Sequence, residues 1–467
     1  SRAAETRDIV NPATGKILAQ VPMGGAEDVD LAVQAAHDAF PAWRAVPPVQ
    51  RARYLFELKY LMEKHAEELA EICTAENGKT LPESRGSVRR GIECVEVAAG
   101  APSLLMGMAI EDVATGIDCE SVRQPLGVFA CIAPFNFPAM VPLWFYPFAV
   151  ACGNTFVCKP SEQVPLSQRF IFRLIEQAGF PPGVLNLVNG GKDAVNAILE
   201  HPHVRGVSFV GSSPVAEHVY KTAAANGKRV QALGGAKNFL VVMPDADMDS
   251  SLDAIAESAY GCAGERCLAG SVVLAVGGCR EQVRDGLAER ARKLAVGDGA
   301  KPDTGMGPLI SQPHREKVKG YIAKGVEEGA DLIVDGREHP ATKGDGWFLG
   351  PTLFDGVKPG MTVAEEEIFG PVLCVSEAKD MDEALDIIAK HPLANASSVF
   401  TTNGKHARDF KYRVHASMTG VNIGVAAPMS FFGFGGAKGS FFGDLKAHGR
   451  EAFDFFTDKK IVISRWG

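Results

Sequence analysis

A chain of 467 residues with 46% hydrophobic and 22% charged residues has the composition of a globular protein and is too long for one core, so two or three lobes are expected. Its formal net charge of −8, with lysines and arginines dispersed rather than blocked, speaks against neutralising a phosphate backbone, and nucleic acid is not an expected partner. Ten cysteines lie scattered without a CxxC pair or nearby histidines at zinc spacing, which points away from disulfides and metal and toward a reduced, cytoplasmic compartment.

The sequence as given opens at Ser1 with no initiator methionine and no charged-then-apolar signal pattern, so an organelle matrix is the alternative location if a targeting peptide has been removed. From Ala26 to Ala75 apolar residues recur at helical spacing, among them Leu55, Leu58, Leu61, Ala66 and Leu69, which predicts amphipathic helices. From Ile110 to Val128 short β-branched runs around a turn at Gly116 predict paired strands outside the helical block. The most apolar stretch, Val128 to Cys158, is broken by Asn136, Gly153, Asn154 and four prolines. It lacks the ~20 unbroken residues a spanning helix needs, so it reads as buried core, and no membrane partner is expected.

Between Val128 and Met243 short apolar runs alternate with helical patterns. The runs are Val128 to Ile132, Thr155 to Cys158, Leu185 to Val188, Val204 to Val210 and Phe239 to Met243. The helical patterns between them run through Trp144 to Ala151, Arg169 to Ala178, Val195 to Leu199 and Pro214 to Ala225. This alternation is the signature of a doubly wound parallel sheet. A second alternating series follows Cys267, from Ser271 to Val276 through a helix at Arg280 to Leu294 and past Pro371, so the fold class is α/β with two lobes and Cys267 near their junction. Lys460 to Arg465 again reads as a strand.

Five constellations can carry chemistry. Gly264-Glu265-Arg266-Cys267 follows an apolar helical stretch, Ile255 to Ala263, and Arg266 offers a positive charge that would favour the thiolate a nucleophile needs; taken alone, Cys267 could equally be a small buried hydrophobe. Asn136, in Phe135-Asn136-Phe137-Pro138 after a strand, can donate its carboxamide to an oxyanion or cap the helix that follows. Val157-Cys158-Lys159-Pro160-Ser161-Glu162 places an acid and a lysine just beyond a strand, where a dinucleotide ribose is held, or else forms a solvated loop. Phe209-Val210-Gly211-Ser212-Ser213-Pro214 runs from a strand through a glycine turn into a helix whose first N–H groups would face a pyrophosphate, although no GxGxxG is present. Glu366-Glu367-Ile368-Phe369-Gly370-Pro371-Val372 offers carboxylates to a nicotinamide ribose, or is a charged loop.

Weak one by one, these segments are specific in their order and separation. From about residue 8 to the end the chain resembles an aldehyde dehydrogenase, with PFNFP, KPSE, FVGS, a Gly234-Gly235 turn, GERC and EEIFGPV in that family's sequence. Within the superfamily it is most similar to the CoA-acylating methylmalonate-semialdehyde dehydrogenases, on Arg90-Gly91-Ile92-Glu93, EDVATGID from Glu111 to Asp118, RQPLG from Arg123 to Gly127, GNTF from Gly153 to Phe156, GAKN from Gly235 to Asn238 and SFFG from Ser440 to Gly443. The resemblance implies an NAD-binding domain over 1–109 and 128–233, a catalytic domain over 234–440, and a β oligomerisation arm over 110–127 and 441–467, serving a homodimer or homotetramer. It implies Cys267 as nucleophile, with Asn136 and the Cys267 backbone N–H as oxyanion hole. Lys159 and Glu162 would hold the adenosine ribose of NAD, Ser212 the pyrophosphate, and Glu367 with Phe369 the nicotinamide end.

Ordinary aldehyde dehydrogenases carry a glutamate just before the Leu-Gly-Gly turn to activate the water that hydrolyses the thioester. Here that position is Ala232, which removes a general-base contribution of about 10²- to 10⁴-fold. A thiol acceptor suffers less, since a few per cent is thiolate at neutral pH, so coenzyme A is the expected acyl acceptor. Glu265, two residues before Cys267, is the other acid that could serve a water. A carboxylate-bearing short aldehyde is the expected substrate. Arg90 and Arg266 match the arginines credited with its carboxylate in that branch, and Phe137 and the aromatic run Phe431, Phe432 and Phe434 are expected around it. The expected reaction is NAD-dependent oxidation of methylmalonate or malonate semialdehyde to propionyl-CoA or acetyl-CoA with loss of CO₂. The alternatives are a hydrolytic aldehyde dehydrogenase and, more remotely, a catalytically silent binding or assembly protein of this fold.

Overall fold

The computed structural model describes residues 5–467. Its first lobe is built on a six-stranded sheet in the order Phe441–Phe442, Arg229–Leu233, Val204–Val210, Val128–Ile132, Thr155–Lys159, Leu185–Leu187. All neighbours run parallel except the two-residue edge strand. Every residue of Val128–Ile132 and Thr155–Lys159 is buried, because helices cover both faces of a parallel sheet, and this is why these segments read as unbroken apolar runs. From Val128–Ile132 the chain winds outward first to one side and then to the other. The reversal, between Val128–Ile132 and Val204–Val210, opens a crevice beyond their carboxyl ends.

The second lobe carries a seven-stranded sheet in the order Asp331–Val334, Thr352–Asp355, Val372–Ala378, Gly270–Val276, Asn238–Val242, Ala396–Phe400, Met418–Val421. Only its outermost pair, Asp331–Val334 with Thr352–Asp355, is antiparallel. The amphipathic block expected between Ala26 and Ala75 is three helices, Ala26–Ala45, Pro48–Lys64 and Ala66–Asn77. A fourth, Leu81–Ala99, starts at a capping box in which Thr80 Oγ1 accepts from the Glu83 N–H and the Thr80 N–H donates to the Glu83 carboxylate at 2.9 Å. Among the described residues no helix is long and apolar enough to cross a membrane, and all ten cysteines are free thiols.

Outside both lobes, Met108–Ala114, Ile117–Pro125 and Thr457–Arg465 form an antiparallel three-stranded sheet, the turn lying at Gly116. Met108 and Ile463 on it are 79% and 70% exposed. Residues 441–456, grouped with this arm on resemblance, belong to the first lobe instead. Phe441 and Phe442 pair with Leu233 and Ala232, and Phe453, Phe455 and Phe456 are buried in the same core as Phe129, Phe148 and Phe156. The apolar payload of three phenylalanines is too large to leave in a projecting arm.

Asn154 joins the root of the arm to the lobe. Wholly buried, it accepts from the Leu126 and Gly127 N–H groups at 2.8 and 3.1 Å and donates to the Phe456 carbonyl at 2.7 Å. Asn154→Ala leaves those groups buried and unsatisfied, and is expected to cost about 2–4 kcal/mol. A melting temperature lowered by several degrees would be the readout, and an unchanged one would refute the assignment of this residue as the clamp.

Candidate active site

The helix Met248–Tyr260 ends at Gly261, short of the predicted Ala263. Cys262, Ala263 and Gly264 then turn left-handed in succession, at φ 49°, 53° and 72°. Two non-glycine residues in that region persist only where their surroundings hold them. Here the Cys262 N–H donates to Glu83 Oε1 at 2.6 Å. Gly264 presses so closely on Gly370 that a Cβ would stand 2.1 Å from its carbonyl oxygen. Beyond the turn the backbone is gripped from both lobes. Asn136 Nδ2, on the loop after the first-sheet strand, donates to the Glu265 carbonyl at 2.8 Å. Asn238 and Asn395, at the starts of neighbouring second-sheet strands, each donate to the Cys267 carbonyl at 3.0 Å.

So held, the Cys267 side chain stands between two cavities, and among the described residues it is the one that lines both. On one side lies an apolar pocket of about 70 Å³, walled by Phe137, Met140, Trp144, Phe434 and His448, with Arg90 and Arg266 at its edge. On the other lies a cleft of about 870 Å³ in the crevice between the lobes, reaching Asn136, Ser161, Glu162, Ser212, Glu367 and Phe369. The helix Ser213–Ala225 opens on this cleft with Ser212 at its N-cap and no side chain satisfying its first N–H groups, a natural seat for a pyrophosphate. Gly235 lies against Glu367, where a Cβ would meet Oε2 at 2.4 Å. A dinucleotide fits these residues: an acid at the rim, unpaired N–H groups midway, and an acid and an aromatic ring beside the sulfur.

The candidates named from sequence fall out unevenly. Cys267, Asn136, Glu162, Ser212, Glu367 and Phe369 converge on the cleft, and Phe137, Arg90 and Arg266 on the pocket. Lys159 does not itself line the cleft, but stands next to Glu162, which does. Its Nζ is buried behind Glu162, donating to the Pro160 carbonyl at 2.8 Å with Glu162 Oε2 at 3.4 Å, and burial lowers its pKa. Phe432 is turned out, 62% exposed, whereas Phe434 is buried against Trp144 with ring centroids 4.3 Å apart. Gly433 and Gly435 press against Glu451 and Lys446, where a Cβ would lie 2.7 and 2.8 Å away, so the chain between them is drawn in and Phe434 becomes the wall.

Arg266 favours the Cys267 thiolate, as its neighbour position predicts, but more weakly than the backbone N–H groups do, because its charge is shared with other partners. Its guanidinium pairs with Glu83 at 3.1 Å and donates to the Glu257 carbonyl at 3.3 Å. Burial, and next the Glu367 carboxylate, push the Cys267 thiol above its ordinary range, against which the N–H groups of Cys267 and Leu268 act. Burial likewise lifts Glu367 to about 7, while the Ala236 N–H holds its Oε1 at 2.9 Å. Glu265 is turned from the sulfur, its Oε1 accepting from the Ile310 N–H at 3.2 Å beside His314 Nε2 at 3.5 Å. Ala232 is buried within its strand between Phe209 and Phe442, and presents nothing to the cleft.

Sequence reasoning missed the residues beneath Asn136. Asn77 Nδ2 donates to the Phe135 carbonyl at 3.1 Å; Lys79, buried, donates to the Asn136 carbonyl and sits 3.9 Å over the Phe137 ring. They fix two successive carbonyls of the loop that aims the carboxamide. Their only sequence signal is the turn Asn77-Gly78-Lys79 at a helix end, with Gly78 at φ 93°. His448 was missed as well, having no motif around it.

The profile of the Aldehyde dehydrogenase family matches residues 1–462. The chain belongs to that family. Malonate-semialdehyde dehydrogenase 2 of Geobacillus kaustophilus is 50% identical over 466 residues, spanning 100% of this chain and 96% of the relative. Among solved aldehyde dehydrogenase relatives, the methylmalonate-semialdehyde dehydrogenase of Oceanimonas doudoroffii superimposes with a TM-score of 0.98 at 46% identity, covering 100% of this chain and 96% of that one. A Sinorhizobium meliloti protein proposed to be a methylmalonate-semialdehyde dehydrogenase, solved with NAD, superimposes with a TM-score of 0.98 at 42% identity and the same coverage.

The electrostatics of the site give a direct test. With the cleft empty, Cys267 is expected to alkylate slowly at pH 7 and to keep accelerating beyond pH 9. Removing the nearby negative charge with Glu367→Gln lowers the thiol pKa, so alkylation at pH 8 should quicken about two- to tenfold. Peptide mapping by mass spectrometry reads the rate at this cysteine, and a slower variant would contradict the assigned coupling.

Proposed function

We propose that this aldehyde dehydrogenase oxidises malonate or methylmalonate semialdehyde in an NAD-dependent, CoA-acylating reaction, through a thioester on Cys267. The observation that carries the reading is that Cys267 forms the wall common to a small apolar pocket edged by arginine and a long cleft suited to a dinucleotide. Glu162 would hold the adenosine ribose, the first turn of Ser213–Ala225 the pyrophosphate, and Glu367 with Phe369 the nicotinamide end. Bound there, NAD⁺ supplies the hydride acceptor.

Cys267 loses its proton and its sulfur adds to the aldehyde carbon. The oxygen that becomes anionic is received by the Cys267 N–H and by the Asn136 carboxamide, whose second N–H is not taken by Glu265. Oxidation leaves an acyl thioester on the sulfur. Its carbonyl accepts the electron pair when the β-carboxylate departs as CO₂, and the carbon left behind takes a proton. Coenzyme A, as second substrate, then attacks the thioester with its thiolate and releases the Cys267 sulfur. With Ala232 in the strand and Glu265 turned away, a water in the same place finds no base from either. Glu367, lifted to about 7 beside the sulfur, is the one group that favours a hydrolytic second reading once the nicotinamide ribose has left it.

Cys267→Ala is expected to abolish NADH formation, and turnover retained by that variant would sink the thioester route. With malonate or methylmalonate semialdehyde and NAD⁺, omission of CoA should cut steady NADH formation by about 10²-fold or more. Mass spectrometry should find acetyl-CoA or propionyl-CoA; free acid as the main product with CoA present would favour the hydrolytic reading.

The exposed arm, with Met108, Ile110, Ile461 and Ile463 uncovered, needs a partner edge and face, and we take that partner to be a second copy of this chain in a homodimer or homotetramer. Sedimentation should give at least twice the mass of one chain, and a lone monomer at micromolar concentration would rule this out.

A further inference from the structure

The pocket beside Cys267 is lined by five side chains able to change or carry charge: Arg90, Cys94, Arg266, Cys267 and His448. Both arginines already have carboxylate partners, Arg90 with Glu93 at 3.2 Å and Arg266 with Glu83 at 3.1 Å. Each pair sums to zero, so the arginines meet an entering carboxylate as N–H donors whose charge is already compensated. The thiols can only add negative charge. His448 alone among the lining groups can add a positive one near neutral pH.

Its placement is held at some cost. His448 stands at φ 42°, a conformation a non-glycine residue adopts only under constraint. The ring is buried between Trp144 and Phe434, with centroids 5.5 and 5.8 Å away. Nδ1 lies 2.7 Å from the Phe432 carbonyl oxygen. A carbonyl can only accept, so the proton of the neutral ring sits on Nδ1, and Nε2 is the nitrogen that takes a second one. Arg90 and Cys94 approach from the helix Leu81–Ala99, and the Ser430 carbonyl of the neighbouring loop is a second acceptor for the ring, favouring its protonated form as the Phe432 carbonyl does. On its own segment lie Lys446, whose Nζ donates to Ser417 Oγ at 2.6 Å, the exposed Arg450, and Glu451, which accepts from the Lys446 N–H at 2.8 Å.

We infer that His448 is a specificity residue that binds the substrate carboxylate by taking up a proton: Nε2 is protonated from solvent as a carboxylate-bearing aldehyde enters beside Arg90, and releases that proton when the carboxylate leaves. This rests on the pocket being the aldehyde site proposed above. Burial, with Arg90 nearby, holds the ring of the empty pocket down to about 4. A carboxylate buried beside it would raise it by about 2–3, to about 6–7. Between those limits the complex holds a proton the free enzyme lacks. Capture of the carboxylate therefore weakens as pH rises and levels off above the upper value.

The test compares malonate semialdehyde with propanal, a neutral aldehyde of similar size, so that ionisation of Cys267 cancels in the ratio of their kcat/KM values. In the unaltered enzyme with NAD⁺ and CoA that ratio should fall about tenfold between about pH 5.5 and 7.5. In His448→Asn it should be flat. Titration calorimetry of the unaltered enzyme with 3-hydroxypropanoate at pH 6, in two buffers of different ionisation heat, should show uptake of a sizeable fraction of a proton, which decides the matter even if the variant folds poorly. Turnover of both aldehydes with a pH-independent ratio, or binding without proton uptake, overturns the inference. Turnover of propanal with none of malonate semialdehyde at any pH overturns the substrate reading instead.

Discussion

The site depends on one hydrogen bond that crosses from lobe to lobe, from the Asn136 carboxamide to the Glu265 carbonyl. It fixes the distance between a loop at the carboxyl edge of the first sheet and a turn at the amino edge of the second. Neither sheet alone holds the sulfur beside the carboxamide. What one lobe offers is a crevice with unpaired N–H groups, and what the other offers is a strained turn ending in a thiol. Asn238 and Asn395 anchor that thiol from the lobe it belongs to, and Asn77 with Lys79 anchor the carboxamide from beneath.

Charge around the sulfur is arranged by pairing rather than by supply. Arg266, next to the nucleophile in sequence, spends its guanidinium on Glu83, which also takes the Cys262 N–H and closes the capping box at Thr80. One glutamate thus joins a helix start, the left-handed turn and the arginine. The thiol is pushed above its ordinary range by burial, with the Glu367 charge reinforcing that effect and Arg266 opposing it only weakly.

Much of this was legible in the sequence, for physical reasons. Val128–Ile132, Thr155–Lys159 and Val204–Val210 are buried on both faces, so their apolar runs stood out, and the helices between them carried clear amphipathic spacing. Arg229–Leu233 was not read as a strand, because its Arg229 and Gln231 are polar; their partners, the carbonyls of Asp454, Phe455 and Thr457 and the hydroxyl of Ser208 on the neighbouring strand, are all distant in sequence. The turn before Cys267 looked helical because Cys262 and Ala263 carry no mark of left-handed backbone. Phe432 and Phe434 are indistinguishable by type, and only the close approach of Gly433 and Gly435 to their neighbours decides which ring faces in. The pairing of Arg266 with Glu83 was hidden for a related reason, since adjacency along the chain says nothing of which way a guanidinium is drawn.

The edge strand Phe441–Phe442 and the helix Gly449–Phe455 complete a lobe whose other strands lie before residue 234. A ribosome therefore delivers the second lobe whole before it delivers the last piece of the first. Phe129, Phe148 and Phe156 must wait, partly uncovered, for Phe453, Phe455 and Phe456 to emerge. The lobe begun first is the one finished last, an order of synthesis that leaves an apolar surface open to chaperones until Phe453, Phe455 and Phe456 leave the tunnel.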